Sequence, residues 1–272
     1  GGGGGIFIII FVFQFLKSIK IYVMKKILLL FAAGCTLLFT GCSKDDKDGG
    51  ANLSLNETNI SLHHEQTKQL KASDAVTWSS ESNFVATVNA SGLVEGNHVG
   101  KTHIVATKNS DNVKCVVEVT PMYSTFTEPL FDFGASVDQI KSKEKRSFQY
   151  AKDNGILFKG GKSSEVAVMY LFENSKMVCS AISISYLYAE EAIKFIAERY
   201  QPIVKEGYDY YFVNNDLDKS TMLIAISLDS LDDSMLIMYT EASAKGKALS
   251  DGGEMQYENY FREIMNSQMS DN

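Results

Sequence analysis

Histidine is scarce in this chain of 272 residues, and none occurs after His103. The region that follows therefore cannot host a Ser-His-Asp or Cys-His catalytic site, and a zinc ion there would lack its usual nitrogen ligand. The adjacent pair His63 and His64 cannot bind one ion from a strand, because neighbouring strand residues point to opposite faces. We interpret these two side chains as solvated turn residues.

The acidic clusters and the glycine-rich loop also lack the features that calcium binding and phosphate binding require. Residues 214–218 and 229–233 offer carboxylates, but neither stretch has the glycine and the closing glutamate of an EF-hand loop. Residues 159–162 join two predicted strands and lack the helix that would complete a phosphate-binding loop. We therefore expect no enzyme, no catalytic residue, no metal and no cofactor. A carboxylate-dependent hydrolase is the remaining enzymatic alternative, since the sequence cannot show whether two acids converge.

Cysteine is too rare for a disulfide framework. Apart from two cysteines near the N-terminus, the chain has only Cys115 and Cys179, one in each predicted domain. Both lie in strands with alternating apolar residues, which favours buried free thiols over a bridge.

Basic residues are outnumbered by acidic ones. Of the 26 Lys and Arg residues, four lie in residues 1–41, whereas all 33 Asp and Glu residues lie in residues 42–272, which therefore carry a net charge of −11. Such a body is repelled by phosphate backbones and by anionic lipid, so we expect no nucleic-acid partner and no electrostatic docking on a membrane. Membrane attachment has to come from the N-terminal segment.

The segment 24–41 has the layout of a secretory signal peptide. A short basic start at residues 24–26 precedes an apolar run at residues 27–39. This run is too short for a transmembrane helix, which needs about 20 residues. Residues 1–23 fit no signal layout, and we interpret them as a misplaced start or a cloning remnant.

The signal segment ends in Gly41 and Cys42, which resemble a lipobox, the site where lipoprotein signal peptidase cuts and a diacylglyceryl group is attached. The resemblance implies that Cys42 is the lipid anchor of a bacterial lipoprotein, although Phe39 departs from the leucine that the pattern prefers. Cys35 follows a competing box, whose use would leave an apolar core of only about seven residues. Residues 43–46 resemble the export tag of some outer-membrane lipoproteins, which implies display on the cell surface.

Four sequence blocks follow one another in the first predicted domain. The blocks are 76–80 (VTWSS), 85–88 (VATV), 91–96 (SGLVEG) and 100–107 (GKTHIVAT). Their order and spacing resemble the bacterial immunoglobulin-like (Ig-like) group 2 family, whose members occur in surface adhesins and as spacer modules. The resemblance implies a two-sheet sandwich with Trp78 and Ile104 between the sheets and turns at Gly92 and Gly100. His98 stands where the family usually has a small residue.

The second predicted domain repeats one pattern of elements. A helix begins at Val137 after a Ser136 N-cap, a second spans residues 189–200, and a final helix spans Met255–Met269. Strands are predicted at 156–159, 165–172, 178–186, 208–213, 221–228 and 234–239. The pattern indicates an α+β domain of two αβββ repeats, with an antiparallel sheet and helices on one face. This order resembles the architecture of the β-lactamase-inhibitor protein.

Together these patterns predict a multidomain protein in which an all-β Ig-like sandwich precedes an α+β domain. The predicted segments are 1–23 (excluded), 24–41 (signal peptide), 42–52 (lipidated cysteine and flexible tether), 53–121 (Ig-like domain), 122–129 (linker) and 130–272 (α+β domain).

Both faces of the predicted sheet are apolar, which a domain in water avoids unless each face is covered. We predict that one face is open and binds a protein or glycan partner. The candidate residues are Met169, Leu171, Leu223, Tyr208, Tyr210 and Tyr211. The alternative is a face covered by the Ig-like domain or by the final helix.

The function predicted from the sequence is that of a surface-anchored outer-membrane lipoprotein. Its Ig-like spacer presents a ligand-binding α+β domain, with a role in cell adhesion. The main alternative is a structural or assembly component of an envelope complex.

Overall fold

The computed structural model of the chain describes residues 52–152, 154–206, 209–228 and 233–242. The predicted signal peptide, the anchor Cys42 and the predicted helix Met255–Met269 lie outside these residues. Among the helices in the described residues, none combines the length and the apolar character that a membrane span requires.

The Ig-like region consists of seven short strands in two sheets. The strands are β1 (Asn59–Leu62), β2 (Thr67–Gln69), β3 (Thr77–Ser80), β4 (Ala86–Val88), β5 (Leu93–Gly96), β6 (Gly100–Lys108) and β7 (Asp111–Val119). One sheet has the order β1-β7-β6-β3 and the other the order β2-β5-β4. Only the β1–β7 pair is parallel. The predicted all-β sandwich is confirmed.

Alternation along β7 places one row of side chains in the core of this domain. Cys115 and Val117 are fully buried, and Glu118 between Val117 and Val119 is exposed. Ile104 is also fully buried, as predicted. Trp78 is only partly buried and packs against the edge of the cluster, so it closes the sandwich rather than filling its centre.

The α+β region contains one large sheet and two helices among the described residues. Its elements are α1 (Val137–Lys143), β8 (Phe148–Lys152), β9 (Gly155–Lys159), β10 (Glu165–Glu173), β11 (Lys176–Ser185), a 3₁₀ turn (Tyr186–Tyr188), α2 (Ala189–Ala197), β12 (Gln201–Glu206), β13 (Asp209–Val213), β14 (Met222–Ser227) and β15 (Ser234–Glu241). The strand order is β12-β13-β14-β15-β11-β10-β9-β8, and every pair is antiparallel.

This order corrects the predicted repeat. Each repeat is a helix followed by four strands, and the two four-stranded halves meet at the β11–β15 pair. The sequence pattern missed β8 and β12, the two outermost strands. Residues of β8 are mostly exposed, and β12 contains Pro202 and a register shift, so neither shows a strong apolar alternation.

Both helices pack on the same face of this sheet, as predicted. Helix α1 begins with a capping box formed by Ser136 and Gln139, and its C-cap Glu144 accepts a hydrogen bond from the Tyr170 hydroxyl of β10. Tyr200, just after α2, contacts the ring of Tyr239 in β15. We call this side of the sheet the helix face and the opposite side the second face.

Candidate functional site

The second face collects four of the predicted binding residues. Cross-strand partners across the sheet form the row Tyr150, Leu157, Met169, Ala181, Met238, Ala225 and Tyr211. Leu171 and Leu223 lie in the neighbouring row, on the same side. The predicted grouping of Met169, Leu171, Leu223 and Tyr211 is therefore present in the sheet.

The expectation that this face is open to solvent is wrong. Met169, Leu171 and Leu223 are 0%, 3% and 1% exposed, and Tyr211 is 7% exposed. These side chains belong to one buried apolar cluster, whose described members all come from strands of this sheet. Because bulky apolar side chains alternate toward both faces, both faces are core, and burial of each is the more stable arrangement.

The two tyrosines of β13, Tyr210 and Tyr211, lie on opposite faces of the sheet. Tyr210 lies in the row of Ile226, Ile237 and Ile182, on the helix face, and it is 8% exposed. Tyr211 points to the second face, since successive strand residues alternate. Tyr208 lies outside the described residues.

The prediction of solvated side chains holds for His63 and only in part for His64. His98 is 5% exposed, stacks on Phe84 at 4.3 Å, and bonds the Phe84 carbonyl through Nδ1 at 2.7 Å. His64 is partly buried and bonds the Asn97 carbonyl, whereas His63 is exposed. In the described residues, no group of three or more His, Cys, Asp and Glu side chains could hold a metal ion.

Both cysteines of the described body are free and buried, as predicted. Burial raises the pKa of the Cys115 thiol to about 11. A thiol with that pKa is almost entirely protonated at neutral pH, so it is a poor nucleophile.

An ionic cluster that the sequence pattern did not reveal lies at the edge of the helix face. Arg146 Nη1 lies 3.1 Å from Glu144 Oε2, and Arg146 Nε lies 3.0 Å from Glu165 Oε2. Backbone N–H groups of Thr127 and Gly161 also donate to Glu165, at 2.7 and 2.8 Å. Burial alone would raise the pKa of Glu165, but these donors outweigh it and the pKa is lowered. The cluster is fully paired, which suits a structural role.

Glu128 is a second carboxyl, partly buried in the segment that connects the two domains, where Tyr200 and Tyr239 contact it. Its Oε1 accepts hydrogen bonds from the hydroxyls of Tyr200, at 2.6 Å, and Tyr239, at 3.3 Å. Burial raises the pKa of Glu128, and the two hydroxyl donors and nearby Arg199 offset this only in part.

Glu198, at the end of α2, joins the Ig-like domain to the α+β domain. Its side chain accepts hydrogen bonds from the backbone N–H groups of Met122, at 2.8 Å, and Tyr123, at 3.2 Å. Its own carbonyl accepts the N–H of Val99, at 2.7 Å, which lies in the turn between β5 and β6. Glu198 is 0% exposed. One residue therefore ties the helix, the linker and the Ig-like domain together.

Arg199 completes this junction. Its guanidinium pairs with the Glu198 carboxylate, donates to the carbonyls of Tyr123 and Phe195, and lies 3.5 Å from the centroid of the Phe195 ring. The charge of Glu198 is thus compensated where it is buried, as a stable buried carboxylate requires. The two domains accordingly fall within one compact unit.

Comparison with known families supports the assignment of the first domain as Ig-like. Residues 53–119 match the family model of the bacterial Ig-like domain (group 2), so the chain carries such a domain before its α+β region. Among the curated proteins, none matches this chain.

Solved structures add little to this assignment. A mutant of intimin from EHEC O157:H7 is 16% identical, with 47% of this chain and 90% of that chain covered, at a TM-score of 0.24. Domains 5–6 of the S-layer protein SbsC are 14% identical, with 70% and 83% covered, at a TM-score of 0.23. TM-scores this low do not indicate a shared overall fold.

Proposed function

We propose that this chain is a surface-anchored outer-membrane lipoprotein in which the Ig-like domain is a rigid spacer that presents the α+β domain. The observation that carries the proposal is the order of its parts. The lipobox-like Cys42 is followed by a short polar tether, then by the Ig-like domain, and the Ig-like domain is joined to the α+β domain through the buried Glu198. A spacer holds the domain that follows it in a defined position only if the two domains are joined by fixed contacts. The contacts of Glu198 support such a junction.

The proposed role of the α+β domain is to bind a protein or glycan partner at the cell surface, as in adhesion. Bacterial Ig-like domains occur in adhesins and as spacers, which supports surface display without choosing a ligand. We also propose that the chain is not an enzyme and needs no cofactor. In the described residues, the buried carboxylates of Glu165 and Glu198 are engaged by backbone donors and arginine.

A structural or assembly component of an envelope complex is the second candidate. The burial of Met169 and Leu223 favours it, since the apolar face predicted for partner binding is part of the core. Crosslinking in intact cells separates the two candidates. An envelope component gives a stoichiometric crosslinked complex under all growth conditions, whereas a presented binding domain is crosslinked only when its partner is supplied.

Attachment is tested by labelling with radioactive palmitate and membrane fractionation. The Cys42→Ser variant is expected to lose label and to leave the membrane fraction or remain unprocessed. The matched variant Cys35→Ser should keep both label and location. Label that survives Cys42→Ser, or that disappears with Cys35→Ser, contradicts Cys42 as the anchor.

A further inference from the structure

Positive charge in the α+β region is concentrated along one edge of its sheet. Residues 141–162 hold seven of the 15 Lys and Arg residues of the region 130–272, but only two of its 22 Asp and Glu residues. This stretch spans the end of α1, the outermost strand β8, and β9 beside it. The rest of the region is strongly acidic.

Several lysines of this stretch lack the carboxylate partner that most described lysines elsewhere have. Carboxylate partners are present for Lys68, Lys101, Lys108, Lys114, Lys143, Lys194 and Lys219. Only Lys143 of these lies in the stretch. Lys141, Lys145, Lys159 and Lys162 are exposed, and none pairs with a carboxylate of the described residues. We call these four lysines, together with Phe148, the basic edge.

Contacts place Lys141, Phe148 and the backbone of Lys159 close to one another, whereas Lys162 Nζ donates to the carbonyl of Ser124 at 2.6 Å. Lys141 Nζ lies 4.3 Å from the centroid of the Phe148 ring. The N–H of Lys159 donates to the carbonyl of Ser147 at 2.9 Å, which fixes the end of β9 beside the start of β8. Phe148 is 45% exposed, so the basic edge includes an apolar ring at the surface.

Strand β8 also offers backbone groups. It is the last strand in the described sheet order, so it has a strand neighbour, β9, on one side only. An edge strand presents backbone N–H and C=O groups that an extended chain can pair with. Lysines next to such an edge attract carboxylates at the spacing of a neighbouring strand.

We propose that the basic edge binds an extended, acidic polypeptide segment of a partner protein, which adds to the sheet along β8. A polyanionic glycan would satisfy the lysines but has no peptide groups to continue the sheet. A second copy of this chain is disfavoured, since residues 42–272 carry a net charge of −11. This proposal names the class of partner that the α+β domain binds. It rests on the proposed function only for the location of the domain at the cell surface.

The test measures binding of a fluorescent peptide of alternating Glu and Val residues to the mature chain solubilised in detergent. The variant with Lys145→Glu and Lys159→Glu is expected to bind roughly tenfold more weakly, because two attractive pairs become repulsive. The matched variant carries Lys71→Glu and Lys176→Glu, two exposed lysines without a carboxylate partner among the described residues. It should bind like the unmodified chain.

A second peptide of the same charge, N-methylated at alternate residues, cannot pair as a strand and should bind more weakly than the first. The first peptide should also slow hydrogen exchange in β8. Equal loss of binding in the two lysine variants overturns the proposal. Equal binding of the N-methylated peptide, or stronger binding of polygalacturonate, overturns it in favour of a general polyanion. Dimerisation through β8 without peptide overturns it in favour of a second copy.

Discussion

Two glutamates of the described residues, Glu165 and Glu198, are buried, and each is surrounded by donors that the sequence pattern does not announce. Their partners come from residues far away in the chain, such as Thr127 for Glu165 and Met122 for Glu198. Each carboxylate accepts backbone N–H groups and an arginine, which makes its burial tolerable. Glu128 is different, because its donors are tyrosine hydroxyls.

Glu128 makes the stability of the α+β domain depend on pH. Because burial raises the pKa of Glu128, the folded state favours the protonated form. Its contribution to stability is therefore complete below its ordinary pKa and is lost as pH rises through the raised value. Glu128→Gln keeps the acceptor for Tyr200 and Tyr239 and removes the charge, so its advantage in unfolding free energy over the unmodified chain should grow from pH 4.5 to 8. Urea unfolding across this range checks the sign, and an advantage that shrinks with rising pH contradicts it.

A comparison of alanine substitutions at Gly92 and Gly134 distinguishes the cost of backbone strain from the cost of a steric clash. Both have a φ of +83°, which side chains with a Cβ adopt rarely. A Cβ at Gly92 would lie 2.7 Å from the Leu70 carbonyl oxygen and 3.0 Å from the Trp78 ring, whereas at Gly134 it would meet nothing within 4 Å. We expect Gly134→Ala to cost about 1 kcal/mol and Gly92→Ala about 3 kcal/mol of unfolding free energy. Equal costs, measured by urea unfolding, would show that the Gly92 site relaxes.

At the scale of elements, a strong apolar pattern in the sequence is sufficient to predict a strand or a helix, whereas a weak pattern is not. Strands β10, β11 and β14 carry dense apolar runs, and α1 carries a Ser136 cap, so the sequence predicts all four. Among the strands that the structure describes, the edge strands β8 and β12 each pair with one neighbour, so their residues are less constrained to be apolar. Local sequence therefore does not reveal the fourth strand of each repeat.

The candidate binding face illustrates a further limit of sequence reasoning. Alternation correctly places Met169, Leu171 and Leu223 on one side of the sheet. Whether that side is covered depends on packing between distant parts of the chain, which periodicity does not encode. The basic edge is visible in the sequence as a run of lysines, but its position on an outermost strand is not.

Substitutions in β10 test the buried state of the second face. Met169→Lys places a charge at a position that is 0% exposed and should lower the unfolding free energy by about 3 kcal/mol or more. Val166→Lys, in the same strand but at 43% exposure, should change it by less than about 0.5 kcal/mol. Chemical unfolding of both variants makes the comparison. Similar, small effects of the two changes would mean that the second face is accessible to water.

At the scale of the molecule, the junction at Glu198 decides whether the two domains behave as one body. Hydrogen bonds to Met122, Tyr123 and Val99 connect the end of α2 to the linker and to the Ig-like domain. Such a connection couples the unfolding of the two domains. A flexible linker alone would let each domain unfold separately.

Removing this side chain should weaken the coupling that runs through the linker, while the Glu198 carbonyl still accepts the N–H of Val99. The single tryptophan, Trp78, reports on the Ig-like domain, and helical ellipticity reports on the α+β domain, which contains both helices of the described residues. In the unmodified chain the two signals should change together during urea unfolding. Glu198→Ala, which leaves two backbone donors unpaired, should lower stability by about 1–3 kcal/mol and separate the two transitions.

Asp138→Ala is the matched control, because Asp138 is an exposed acid in the first turn of α1 in the same domain. It should leave the two transitions coincident. Transitions that stay coincident and unshifted in Glu198→Ala would mean that the domains are coupled by other contacts.

Surface display on a lipid anchor is the central claim, and antibody labelling of intact cells tests it most directly. Antibodies against the α+β domain should label intact cells as strongly as permeabilised ones, because the domain is held outside the outer membrane. Cells that produce the Cys42→Ser variant should lose this labelling, whereas Cys35→Ser cells should keep it. Labelling that appears only after permeabilisation, or that persists in Cys42→Ser cells, would contradict the account.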